Sequence, residues 1–204
     1  MKFSTAHFQS WMTSLAILTI AVSAIAGVPA NRVPAQPAAK ATIAGLSATL
    51  IADKDTYKLD PAQSGKDFRD KLANLQKNRE KAPAAPAVDL TLRLTNTSDK
   101  DVQIAVGGDA TQIELRLDGP GAVTVPNNVM MTMEFRIGRP VTIAPGKSYD
   151  VKITSLGFGM RGISQAAYWT EPGDYSLSAT FLCTKDDGTQ IKVSSDAAKL
   201  KLTK

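Results

Sequence analysis

The chain has 204 residues, a net charge of +5 and 21% charged residues, and its basic and acidic side chains are mixed along the sequence. Charge spread in this way gives no basic stripe, so a nucleic-acid partner is not indicated. The single cysteine, Cys183, rules out an internal disulfide. The single histidine, His7, lies next to the N-terminus.

The opening "MKFSTAHFQSWMTS" carries Lys2 and no acid, "LAILTIAVSAIAGV" is apolar throughout, and small residues follow at Ala24, Ala26 and Ala30. Residues 1–30 therefore read as a helical signal peptide cut after Ala26 or Ala30, with an uncleaved anchor as the alternative. The run falls short of the roughly 20 apolar residues that a membrane helix needs, so no stable membrane span is expected after cleavage. No cysteine lies near the cut, which argues against a lipid anchor. The expected location is periplasmic or extracellular. Cleavage removes Lys2, lowering the charge by one, and removes His7. The mature chain then lacks a histidine for a Ser-His-Asp or Cys-His relay, a general base or a zinc site.

Residues 31–42, all but the last within "GVPANRVPAQPAAKA", are expected to form an extended Pro/Ala linker. Residues 43–204 are long enough to bury one core without disulfides. "GLSATLIA" is the first strand, and "DTYKLDP" continues or pairs with it after a polar break. In "KDFRDKLANLQKNREKAPAAP", Phe68, Leu72 and Leu75 recur at helical spacing before two prolines. This predicts an amphipathic helix from about Lys66 to Arg79, inside a helical insertion at 66–82, lying over an edge or end of the sheet, with a partner-binding helix as the alternative.

Strand patterns follow. Leu90, Leu92 and Leu94 share one face, "NTSDKD" reads as a hairpin turn, and Val102, Ile104 and Val106 resume the alternation. Ile113, Leu115 and Leu117 repeat it up to the break "DGPG". "MTMEFRI", "VTIAPGKSYDVKI", "GDYSLSATFL", "IKVSS" and "KLKLTK" read as further strands. In "GDYSLSATFL", Tyr175, Leu177, Ala179 and Phe181 fall on one side, and Cys183 follows as a buried small hydrophobe. "IAPGKSY" and "TEPGDY" each place Pro-Gly at the corner positions of a type II turn. Many short strands between Gly, Pro, Asn and Asp turns predict an all-β antiparallel sandwich or barrel.

The order "LxLxLTNTSDKDV", "ELRLDGPG", "IAPGKSYDV" and "EPGDYSLSA", Val88 to Leu182, resembles bacterial immunoglobulin-like domains. It is similar among them to the intracellular proteinase inhibitor type, and to small secreted bacterial proteins of unassigned function. The resemblance implies an immunoglobulin-like sandwich, with Tyr175 capping a corner although Leu177 stands where such domains carry a cysteine. A secreted proteinase-inhibitor-like role is one implication, but no reactive-site loop matches.

The expected function is an exported, non-catalytic binding or structural module that contacts an envelope protein or glycan, without a cofactor. "LGFGMRGISQAAYWTEPG", Leu156 to Gly173, reads as the longest loop, and Phe158, Arg161, Tyr168 and Trp169 are its candidate binding residues, being of types that dominate contact surfaces. A structural plug is the alternative for Tyr168 and Trp169. A carboxylate-dependent hydrolase of envelope polysaccharide would need two acids in one cleft, with Asp109, Glu114, Glu134, Glu171 and Asp174 as candidates. Met130, Met131 and Met133 read as core filler rather than a Cu(I) site. Asp99, Asp101 and Asp109 lack calcium-loop spacing, and "GGDAT" at Gly107 reads as a turn.

Overall fold

The computed structural model describes residues 45–78, 80–109, 111–127, 134–160, 163–184 and 188–204. The expected leader and linker, Arg161, Met130, Met131 and Met133 lie outside the described residues. The described residues are mostly strand, with one α-helix among them.

Three strands, β1 (Leu46–Ala52), β3 (Ala87–Asn96) and β8 (Ser148–Ser155), form one antiparallel sheet in the order β1-β3-β8. Leu90, Leu92 and Leu94 of β3 are fully buried, as the alternation requires of one inward face. The outward face carries charge instead. Arg93 makes a forked pair with Asp150 at 2.8 Å, and Asp53 accepts from Thr91 Oγ1 at 2.5 Å and Lys152 Nζ at 2.8 Å.

A second sheet is built around β11 (Gly173–Thr184). Along one side of β11 runs β5 (Thr111–Asp118); along the other run β12 (Gln190–Ser194) and β13 (Ala198–Thr203), each covering half of it. β13 in turn pairs in parallel with β2 (Thr56–Lys58). Tyr175, Leu177, Ala179, Phe181 and Cys183 all point inward and are at most 3% exposed. The inward faces of these two sheets contribute to a single core, which also takes Ile104 and Ile143 from the ribbon of β4 (Val102–Val106) and β7 (Arg139–Ile143).

The helix α1 (Gly65–Asn78) lies within one residue of its expected bounds. Asp60 caps the short 3-10 turn before it, accepting from Ala62 N at 2.9 Å. Phe68, Leu72 and Leu75 are the buried stripe. They pack with Ala82 on Val125 of β6 (Ala122–Pro126) and on Ala166 and Tyr168 of β10 (Ile163–Trp169), forming a second, smaller core. Burying each large apolar side chain contributes roughly 1.5–3 kcal/mol, so this stripe rather than helix propensity holds α1 in place.

Three local expectations are corrected. "NTSDKD" is not a hairpin turn: β3 lies between β1 and β8, while β4 crosses over to pair with β7. The connection from β7 to β8 crosses in the same way, and Asn96 ties the two crossings together. Fully buried, it donates from Nδ2 to the carbonyls of Lys100 and Ile143, both at 2.7 Å. Its Oδ1 accepts from Ser98 N at 2.9 Å and Ser98 Oγ at 2.7 Å. Its main chain pairs with Lys147 and Gly146, each at 2.9 Å. A side chain that satisfies both arches favours a bent ribbon over a flat hairpin.

"MTMEFRI" does not end in a strand: Glu134 to Gly138 are irregular, with Phe135 and Ile137 exposed. Asp109 holds this segment, donating from N to Arg136 O at 2.8 Å and accepting from Arg136 N at 3.1 Å. The third correction concerns the Pro-Gly turns. Gly146, with φ 69° and a 3.0 Å bond from Lys147 N to Ala144 O, makes the type II turn. Gly173, with φ 148°, does not. Its corner is set by Tyr175, whose hydroxyl lies between the carbonyls of Pro120 and Glu171, the latter at 2.7 Å.

Candidate functional site

The stretch from Leu156 to Gly173 is not a loop but a hairpin: β9 (Gly157–Met160) pairs with β10, which pairs on its other side with β6. Neighbouring residues of a strand face opposite ways, and β10 has a core on each side. Ala166 and Tyr168 face the helix; Ala167 and Trp169 face the main core. Tyr168 is fully buried, its ring edge-on to Phe68 at 5.6 Å and its hydroxyl donating to Pro83 O at 2.6 Å. Trp169 is 4% exposed, between Tyr57 at 5.3 Å and Tyr175 at 6.0 Å. Burial raises the hydroxyl pKa of Tyr57, Tyr168 and Tyr175. Neither Tyr168 nor Trp169 offers its ring to a partner, which corrects their placement on a contact surface. They close the space between the strands as plugs.

Phe158 is placed differently. It is half-buried, packs against the main core, and walls two adjacent cavities. The first, of about 420 Å³, is a groove lined jointly by the β9–β10 hairpin and by residues of β5, β11 and β12. Phe158, Gly159 and Gln165 form its wall. Glu114 and Arg116 of β5, Ser178 and Thr180 of β11, and Ser194 of β12 form its floor. Gln112 Nε2 donates to Glu114 Oε1 at 3.0 Å, and the hydroxyls of Thr180 and Ser194 lie 2.8 Å apart. Of the lining residues, Glu114, Ser178, Thr180 and Ser194 are half-buried, while Arg116 and Gln165 are exposed.

The second cavity, of about 410 Å³, lies between β5 and β8 and touches Val106, Ile113, Val151, Ile153 and Phe181. A third, of about 540 Å³, gathers Asp55, Asp118 and Asp174 with Lys199 and Lys201.

The candidate acids are scattered. Glu171 pairs with Arg69 of the helix, Asp109 holds Arg136, Glu114 lies in the Phe158 groove, and Asp174 lies in the third cavity. Asp99 and Asp101 are exposed. Among the described residues, no group of three or more His, Cys, Asp or Glu could hold a metal ion, and no helix is long and apolar enough to cross a membrane. Of the four expected contact residues, Phe158 alone is shown beside a cavity. Gln112, Glu114, Gln165, Thr180 and Ser194 come from strands far apart in sequence, and no local motif marks them.

Neither a protein-family model nor a curated protein matches the sequence. A solved β-glucosidase from Erythrobacter marinus is 12% identical, with 78% of this chain and 15% of that chain covered at a TM-score of 0.32.

Proposed function

We propose that the chain is an exported, non-catalytic binding module on an immunoglobulin-like sandwich, and that it meets an envelope component at the groove beside Phe158. The leader sequence supports export. The corner capped by Tyr175 and the core shared by two sheets support the sandwich. The observation that carries the binding role is the groove itself: an aromatic wall beside a polar floor on which Glu114, Ser178, Thr180 and Ser194 are half-buried, held on paired strands. Sites on strands hold their side chains more rigidly than sites on loops.

The test is capture from envelope extracts by wild type and Phe158→Ala side by side, read with their melting temperatures. Loss of a captured component by a folded Phe158→Ala is the expected result. Equal recovery by a stable variant would refute the groove as the contact surface.

One observation favours a second reading, hydrolysis of envelope polysaccharide: Asp55, Asp118 and Asp174 share the third cavity. Hydrolysis of a cell-wall preparation that disappears in Asp174→Asn would establish it in place of the binding module.

A further inference from the structure

We infer that the groove beside Phe158 takes a neutral, hydroxyl-rich chain, that is, a stretch of glycan; this rests on the reading of the groove as the contact surface. The floor is ordered in rows. Glu114 stands opposite Thr180, and Thr180 opposite Ser194, so three polar side chains cross three strands in a line; Arg116 stands opposite Ser178 in the next row. With strands about 4.8 Å apart, the row runs about 10 Å. Groups spread along a line fit repeating units better than a single small ion, which would call for donors converging on one point.

The chemistry of the row is mixed. A carboxylate accepts, a guanidinium donates, and hydroxyls and carboxamides do both. Sugar hydroxyls, which both donate and accept, match such a set. The charges of Glu114 and Arg116 balance, and Arg116 also holds Asp118 at 3.0 Å, which disfavours a polyanion. Phe158 supplies an apolar wall for the C–H face of a sugar ring. Beside it, Gly159 has φ 111°, a backbone conformation that side chains rarely adopt, and without a Cβ it leaves room for a close approach. An extended peptide fits the floor less well: β11 is paired along both sides here, by β5 and β12, and offers no free edge for another strand.

The test is calorimetric titration of the full chain with soluble neutral di- and tetrasaccharides of glucose and of N-acetylglucosamine, with an oligouronate for contrast. Expected is saturable binding of a neutral oligosaccharide, tighter for the tetramer. Phe158→Ala should weaken it about tenfold or more, and the exposed Gln165→Ala should weaken it at an unchanged melting temperature. Neutral-sugar binding that survives both variants would overturn the assignment to this groove, and preference for the oligouronate would overturn the neutral class. If no saccharide binds while Phe158→Ala still loses an envelope component, the glycan inference falls and the contact surface stands. If both experiments are silent, both fall.

Discussion

Replacing Asn96 by alanine tests the account of how the β4–β7 ribbon is joined to the β1-β3-β8 sheet. The side chain is fully buried and makes four hydrogen bonds. Not all four partners would be stranded: Ser98 Oγ already reaches Lys100 O at 2.9 Å, so that pair can satisfy itself. Ile143 O and Ser98 N lose the amide that serves them. An orphaned buried polar group costs about 1–3 kcal/mol, and a small void adds to this, so a total of about 3–5 kcal/mol is expected, a large part of a usual stability of about 5–15 kcal/mol. In a chain of this size that is a fall of roughly 6–20 °C in melting temperature.

Asn96→Asp sharpens the test. It keeps the acceptor for Ser98 but turns an oxygen toward two carbonyl oxygens. Buried there, the new carboxyl has its pKa raised on folding. The variant is therefore most stable below the unfolded carboxylate pKa of about 3.9 and loses stability as pH rises through the folded value. Urea unfolding followed by circular dichroism at pH 4 and pH 7 measures both variants. A cost below about 1 kcal/mol for Asn96→Ala, or an Asn96→Asp variant as stable as wild type at pH 7, would refute the reasoning.

Trp169→Ala should cost about 3–5 kcal/mol, the usual range for truncating a buried aromatic; an unchanged melting temperature would contradict its place among Tyr57 and Tyr175. Acid should act through the charged outer face of the β1-β3-β8 sheet. Asp53, bonded by Lys152 and Thr91, and Asp150, bonded by Arg93, both have lowered pKa values. Their contribution is present above the ordinary value of 3.8 and lost as pH falls below it through the folded values. The melting temperature of an Asp53→Asn, Asp150→Asn double variant should therefore change less between pH 5 and pH 2.5 than that of wild type, and an identical profile would rule this source out.

What could be read directly was local. Leu90, Leu92 and Leu94, Tyr175 to Phe181, and Phe68, Leu72 and Leu75 each mark a buried face by period, because a strand or helix sorts its own side chains whatever it packs against. Which strand lies beside which is not a local property, so "NTSDKD" has the composition of a hairpin turn although Asn96 within it bonds two crossing connections. "AAYW" misled for another reason: β10 has a core on both faces, so its alternation vanishes and adjacent aromatics look like a surface cluster. The groove was legible only through Phe158, since its floor comes from β5, β11 and β12.

The parallel pairing of β2 with β13 has a consequence for the time order of folding. Thr203 Oγ1 donates to Tyr57 O across a separation of 146 residues. Because β13 stands between β11 and β2, the sheet keeps an open seam until that distant stretch arrives, however early the helix and β1 form. Loop closure over such a span is slow, so a partly made chain stays pliant until its last strand is in place.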